Sequence, residues 1–296
     1  MKKYRDFLKK ERERLEALSE ERYRAFSKSL NPSPRPGLGI RMPALREEAK
    51  RLMKEGLTRT YLDAVLWALT ATPKLVLEPE WTTLGSVLIG RDKDLSMEEH
   101  DQYFEAWLSQ MDGWGVCDAH ASEAHFVRER REGWQKKLLT WLVELNATLP
   151  SSVWKARVAL VVILAHYKDR QYLGWACLML EHPSIERALK AYEAANALAK
   201  PAKVNGTGGN FESGEGYYLS MVVAWCWTVF YVLDPEHVRA RVVALTKENR
   251  LDAQTALRVV SKVRDSLAIS DEEKALLRQE VKDTLKAIAA EELDKK

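Results

Sequence analysis

Apolar residues recur at helical spacing along nearly the whole chain, and no stretch alternates apolar with polar long enough for a convincing strand. Leu138, Leu139, Leu142 and Leu145 form one such stripe; Leu276, Leu277, Val281, Leu285 and Ile288 form another. Start signals are frequent. Ser270 with Glu273 reads as a capping box, and Ser96 stands before Glu98 and Glu99. Pro43, Pro150 and Pro235 mark where helices begin. The pattern predicts an all-α protein of roughly a dozen helices, with pairs recurring at about the 40-residue period of HEAT-like repeats. Such pairs stack into a curved α-solenoid with one concave face. A single repeat domain over 1–296 is therefore expected, with 1–30 as an N-terminal helical segment. Two breaks interrupt it: Asn31 to Gly39 (NPSPRPGLG) and a long loop over 200–216, both expected as surface linkers or mobile loops.

Composition narrows the class. Hydrophobic residues at 46% and charged residues at 30% are globular values. A net charge of only +3 does not announce a nucleic-acid binder, so any basic footprint must come from clustering. Arg128, Arg130, Arg131, Lys136 and Lys137 make one cluster; Arg258, Lys262 and Arg264 make another. Cys117, Cys177 and Cys226 lie far apart, which argues against a disulfide framework. Met1-Lys2-Lys3-Tyr4 lacks the apolar core of a signal peptide, so a cytoplasmic location is expected. The apolar run from Met221 to Leu233 is too short to span a bilayer and predicts a buried helix; no membrane partner is expected. The glycines after Lys200 are not followed by Gly-Lys-Ser/Thr, which excludes a nucleotide P-loop. Cys117, His120 and His125 fit no closed zinc site, so neither metal nor cofactor is expected.

Ten tryptophans is a high count, and several stand beside charges. Trp114 and Asp118 are four apart and share a helix face; Trp154 and Arg157 are three apart and do likewise. Trp225 follows Tyr217, Tyr218 and Met221 at helical spacing, whereas Trp227 points elsewhere. A helical Trp is usually core, so each pair alone is weak.

In combination they resemble a known family. Leu38 to Arg46 (LGIRMPALR) looks like the G-[VI]-R-x-P-x-L-R segment of bacterial DNA alkylation repair proteins of HEAT-like fold, the AlkD-like alkylpurine glycosylases. Trp114 to Asp118 resembles their W-x-x-x-D, and Trp154 to Arg157 their W-x-x-R. Tyr217 to Trp225 resembles the Y-Y-x-x-M-x-x-A-W of one branch, and Lys262 to Ser266 that branch's K-[IV]-R-[DE]-S.

The resemblance implies a repair glycosylase that hydrolyses the N-glycosidic bond of N3- or N7-alkylated purines in duplex DNA, acting as a monomer without full base extrusion. It assigns the catalytic carboxylate to Asp118, an aromatic clamp to Trp114 and Trp225, and a backbone-contacting arginine to Arg157, with Trp154 beside it. The family's N-terminal helix contacts the damaged nucleotide, a place Tyr23 or Phe26 can fill. Relatives without that element bind DNA and excise nothing, so a non-catalytic scaffold for DNA structures or a protein partner is the alternative.

Overall fold

A computed structural model describes residues 2–30, 35–71, 77–198 and 215–294. Every regular element among them is helical. They divide into two compact units, Met1–Arg130 and Arg131–Lys296. Most of the 200–216 segment lies outside the described residues; Glu215 and Gly216 open a helix.

The first unit runs α1 (Lys2–Ala17), α2 (Glu21–Leu30), α3 (Met42–Lys54), α4 (Thr58–Ala71), α5 (Pro79–Arg91), α6 (Met97–Trp107) and α7 (Trp114–Glu123). Short 3-10 turns follow α6 and α7, at Leu108–Gln110 and His125–Glu129. At its centre is α5, whose residues from Glu80 to Gly90 are all buried, against α3, α4, α6 and α7. The Ser96 signal closes fully: its hydroxyl accepts from Glu99 N at 3.2 Å, and Glu99 Oε2 accepts from Ser96 N at 2.7 Å.

The second unit holds α8 (Arg131–Val143), α9 (Pro150–His166), α10 (Arg170–Leu180), α11 (Pro183–Leu198), α12 (Glu215–Leu233), α13 (Pro235–Lys247), α14 (Ala253–Arg264) and α15 (Asp271–Asp294). Here α12 is the core, packed on α9 and α14. It is longer than its apolar run, and at 19 residues with mean hydropathy 1.4 it has the length and composition of a membrane span. Its burial among neighbouring helices is that of a core element. Pro43, Pro150 and Pro235 each stand in the first turn of a helix, where the missing N–H costs nothing.

Two local expectations need correction. At α15 only half the capping box forms: Ser270 caps Glu273 N, but the Glu273 carboxylate turns to Tyr231 and Arg239 instead. Leu276 is exposed because the buried seam of α15 runs through Leu277 and Val281.

Candidate active site

Of the expected site residues, Trp114, Asp118 and Tyr23 lie in the first unit; Trp154, Arg157 and Trp225 lie in the second.

The helix α7 is two-faced. Val116, Cys117, His120 and Ala121 are buried against the first unit's core, whereas Trp114, Asp118 and Ser122 occupy the outward side. Asp118 is half-buried rather than sequestered, and its backbone carbonyl accepts the Ser122 hydroxyl at 2.5 Å. Trp114 stands one helical turn before it on the same side of α7.

The inward face explains His120, which stands two residues beyond Asp118. Its ring stacks on Phe104 with centroids 3.8 Å apart. Nε2 lies 3.1 Å from the Phe104 carbonyl and Nδ1 3.0 Å from Ser86 Oγ. A neutral imidazole donates through Nε2 to the Phe104 carbonyl, while Nδ1 faces the Ser86 hydroxyl, which itself donates to the Thr82 carbonyl at 2.9 Å. Burial pushes its pKa down from 6.5 to about 3. His120 is thus a neutral core residue that holds α7 against α5 and α6. The folded form resists protonation while the unfolded form accepts it. Its contribution to stability is therefore complete above pH 6.5 and declines as the pH falls toward 3, by up to about 1.4 kcal/mol per pH unit. Melting temperatures between pH 7 and pH 4 should fall less steeply in His120→Gln than in the wild-type chain; equal slopes would remove His120 from this role.

The C-terminal end of α7 is anchored by charge. Glu123 is 2% exposed, and one carboxylate oxygen accepts from Arg46 Nε and Nη2 at 3.0 and 2.8 Å while the other pairs with Arg91. Two guanidinium partners satisfy what would otherwise be a costly buried charge. Sequence reading missed Glu123, because its partners lie on α3 and α5. Tyr23, on α2, is half-buried under the Arg41 guanidinium, 4.6 Å from the ring centroid, with exposed Phe26 beside it.

In the second unit, Trp154 and Arg157 are both about as buried as core residues, at 5% exposure each. The Trp154 ring lies 5.7 Å from that of Tyr218, and Arg157 Nη1 donates to the Tyr218 carbonyl at 2.6 Å. Arg157 thereby ties α9 to the first turn of α12. Nearby, Arg258 lies over the Tyr217 ring at 5.2 Å and donates to Ser220 Oγ at 2.6 Å, bringing α14 to the same turn. The exposed edge of α12 runs through Tyr218, Met221 and Trp225; Trp225 is 37% exposed, whereas Trp227 is fully buried.

Several of the clustered basic residues are committed inside the protein. Arg130 pairs with Asp101 at 3.2 Å, Arg131 pairs with Asp169 at 2.8 Å and lies over Tyr172, and Lys137 lies over Trp134. Among the described residues no group of His, Cys, Asp and Glu is placed to hold a metal ion.

Residues 11–195 match the family described as DNA alkylation repair enzyme. That span is more than half of the chain; it holds Tyr23, Trp114, Asp118, Trp154 and Arg157 and stops short of Trp225. No curated protein and no solved structure matches.

Proposed function

Because the chain belongs to the DNA alkylation repair enzyme family, we propose that it is a DNA glycosylase releasing N3- or N7-alkylated purines from duplex DNA, with Asp118 as its catalytic carboxylate. The observation that carries this reading is the outward face of α7, where a half-buried Asp118 shares one side with Trp114, inside the span that matches the family.

Alkylation at N3 or N7 makes the purine a cation, hence a good leaving group that needs no strong general acid. The barrier lies in the positive charge that grows on the deoxyribose as the C1′–N bond stretches. A carboxylate held beside that sugar stabilises the charge, and it also orients the water that attacks C1′. The water's proton leaves with the carboxylate or solvent, and the base departs neutral. The indole face of Trp114 attracts the cationic nucleotide and keeps water away, which strengthens the carboxylate's field, and Trp225 is a second DNA-contacting indole. Arg157, with Nη1 committed to Tyr218, fixes the aromatic edge of α12 and contributes positive charge toward a phosphate. Tyr23 takes the N-terminal contact. The protein acts as a monomer on chromosomal DNA in the cytoplasm, without metal or cofactor.

The test is chromatography of purines released from methylated duplex DNA. Release of N3-methyladenine or N7-methylguanine above the spontaneous rate is the expected result. Affinity for the same duplex should also fall steeply with salt, since binding through phosphates releases counterions. Tight binding to undamaged or branched DNA with no release would replace the glycosylase with a non-catalytic scaffold. An interaction indifferent to salt would set both DNA readings aside.

A further inference from the structure

The Pro- and Gly-rich stretch between α2 and α3 has the composition of a linker, but from residue 35 onward it is packed and bonded. Leu38 and Ile40 are buried. Gly39 N donates to Glu80 Oε1 on α5 at 2.7 Å, while the Leu38 carbonyl accepts from Ser19 Oγ and Arg24 Nε at 2.5 and 3.1 Å. Gly39 takes a left-handed φ of +83°, and a Cβ there would come within 2.6 Å of Arg24 Cβ. Residues 35–41 therefore form a strap that fastens α2, with Tyr23, onto α5.

Arg35 opens this strap, and its side chain is 9% exposed. All five of its N–H donors are used. Nε and Nη2 form a fork on Asp112, at 2.6 and 2.7 Å. Nη2 also reaches the Gln110 carbonyl at 2.9 Å, and Nη1 donates to Thr82 Oγ1 at 2.9 Å and to the Leu77 carbonyl at 3.4 Å. One guanidinium thus joins the start of α5 to the Gln110–Asp112 stretch that leads into α7. That helix needs such help. Its N-cap is Gly113, which has no side chain to close the first turn, and Trp114 is its first residue.

We propose that Arg35 is a positioning residue for the Trp114–Asp118 face: by clamping Asp112 it sets where α7 begins, and so where the indole and, one turn on, the carboxylate stand. The proposal rests on the glycosylase reading for its consequence in catalysis and on geometry alone for its consequence in structure. Lysine cannot replace the fork, because an ammonium offers no planar pair of donors to a carboxylate.

The experiment uses the full chain labelled with 5-fluorotryptophan, the Trp114 fluorine resonance being identified by its loss in Trp114→Phe. In Arg35→Gln, Arg35→Lys and Asp112→Asn the Trp114 resonance should shift or broaden, while those of the fully buried Trp134 and Trp227 stay in place. Single-turnover base release at saturating protein should fall by roughly tenfold to a hundredfold, the scale of a small misplacement of a catalytic group, with the Kd for methylated duplex held within about twofold. The Arg35→Gln/Asp112→Asn pair should be no worse than the poorer single variant, because both break one fork. An unmoved Trp114 resonance overturns the proposal, and so does a common shift of all tryptophans. If the wild-type chain releases no base, the glycosylase reading fails by itself, and the fluorine spectra still decide whether Arg35 places Trp114.

Discussion

Asp118→Asn should abolish base release while leaving fold and DNA affinity nearly intact. The substitution keeps size and shape and removes only the negative charge. Asp118 is half-buried on the outward face of α7, whereas the charge of Glu123 is buried between Arg46 and Arg91. In the proposed mechanism the lost charge faces the growing oxocarbenium character of the sugar, where no neutral amide can substitute. Removing one preorganised electrostatic partner of a transition state costs on the order of 10²–10³ in rate, and a full charge should cost at least that. A single-turnover assay with excess protein reads the chemical step directly, since binding is then saturated. Slower release with unchanged Kd assigns the charge to the transition state. A variant as fast as wild type would move the chemistry elsewhere.

The largest effect on stability is expected from a residue with no side chain. Gly90 lies on α5 where it crosses the end of α7; a Cβ there would sit 1.9 Å from the Glu123 carbonyl oxygen and 2.5 Å from its carbon. Both are backbone atoms, so no rotamer change relieves the clash, and α5 and α7 must move apart. Separation would loosen the burial of Val116, Cys117 and Ala121 and disturb the Glu123 ion pairs together. Gly90→Ala should therefore cost about 3 kcal/mol or more, the upper end of ordinary overpacking, and lower Tm by on the order of 10 °C. Calorimetry of the two proteins decides it, and a Tm within about 2 °C of wild type would contradict the close crossing. Because α7 also carries Asp118, base release should fall in the same variant even below its melting temperature.

The parts of this architecture that were legible in the sequence are those set by local chemistry. Prolines mark helix starts because only there does their missing N–H cost nothing, and the Ser96–Glu99 box closes within one turn. Trp225 and Trp227 were separable because the spacing from Tyr218 and Met221 follows one face of α12. The family was legible from ordered motifs, and the matched span bears this out up to residue 195. What escaped were long-range pairings. Arg35 meets Asp112 and Arg46 meets Glu123 across 77 residues each, and nothing local links them. The same blindness made residues 35–39 look like solvated linker, when backbone and side chain there are spent on α5 and α7. Arg157 stood out by its spacing from Trp154 and by the W-x-x-R resemblance, but its 5% exposure and its bond to Tyr218 follow from how α9 meets α12, which periodicity does not encode.

The most direct measurement of the central claim is single-turnover incubation of the wild-type chain with a duplex carrying one N7-methylguanine at a defined position. Free N7-methylguanine should appear in a single exponential well above the spontaneous rate, leaving one abasic site at the lesion and both strands unbroken until alkali is added. Saturated binding of that duplex with purine release no faster than in buffer would contradict it.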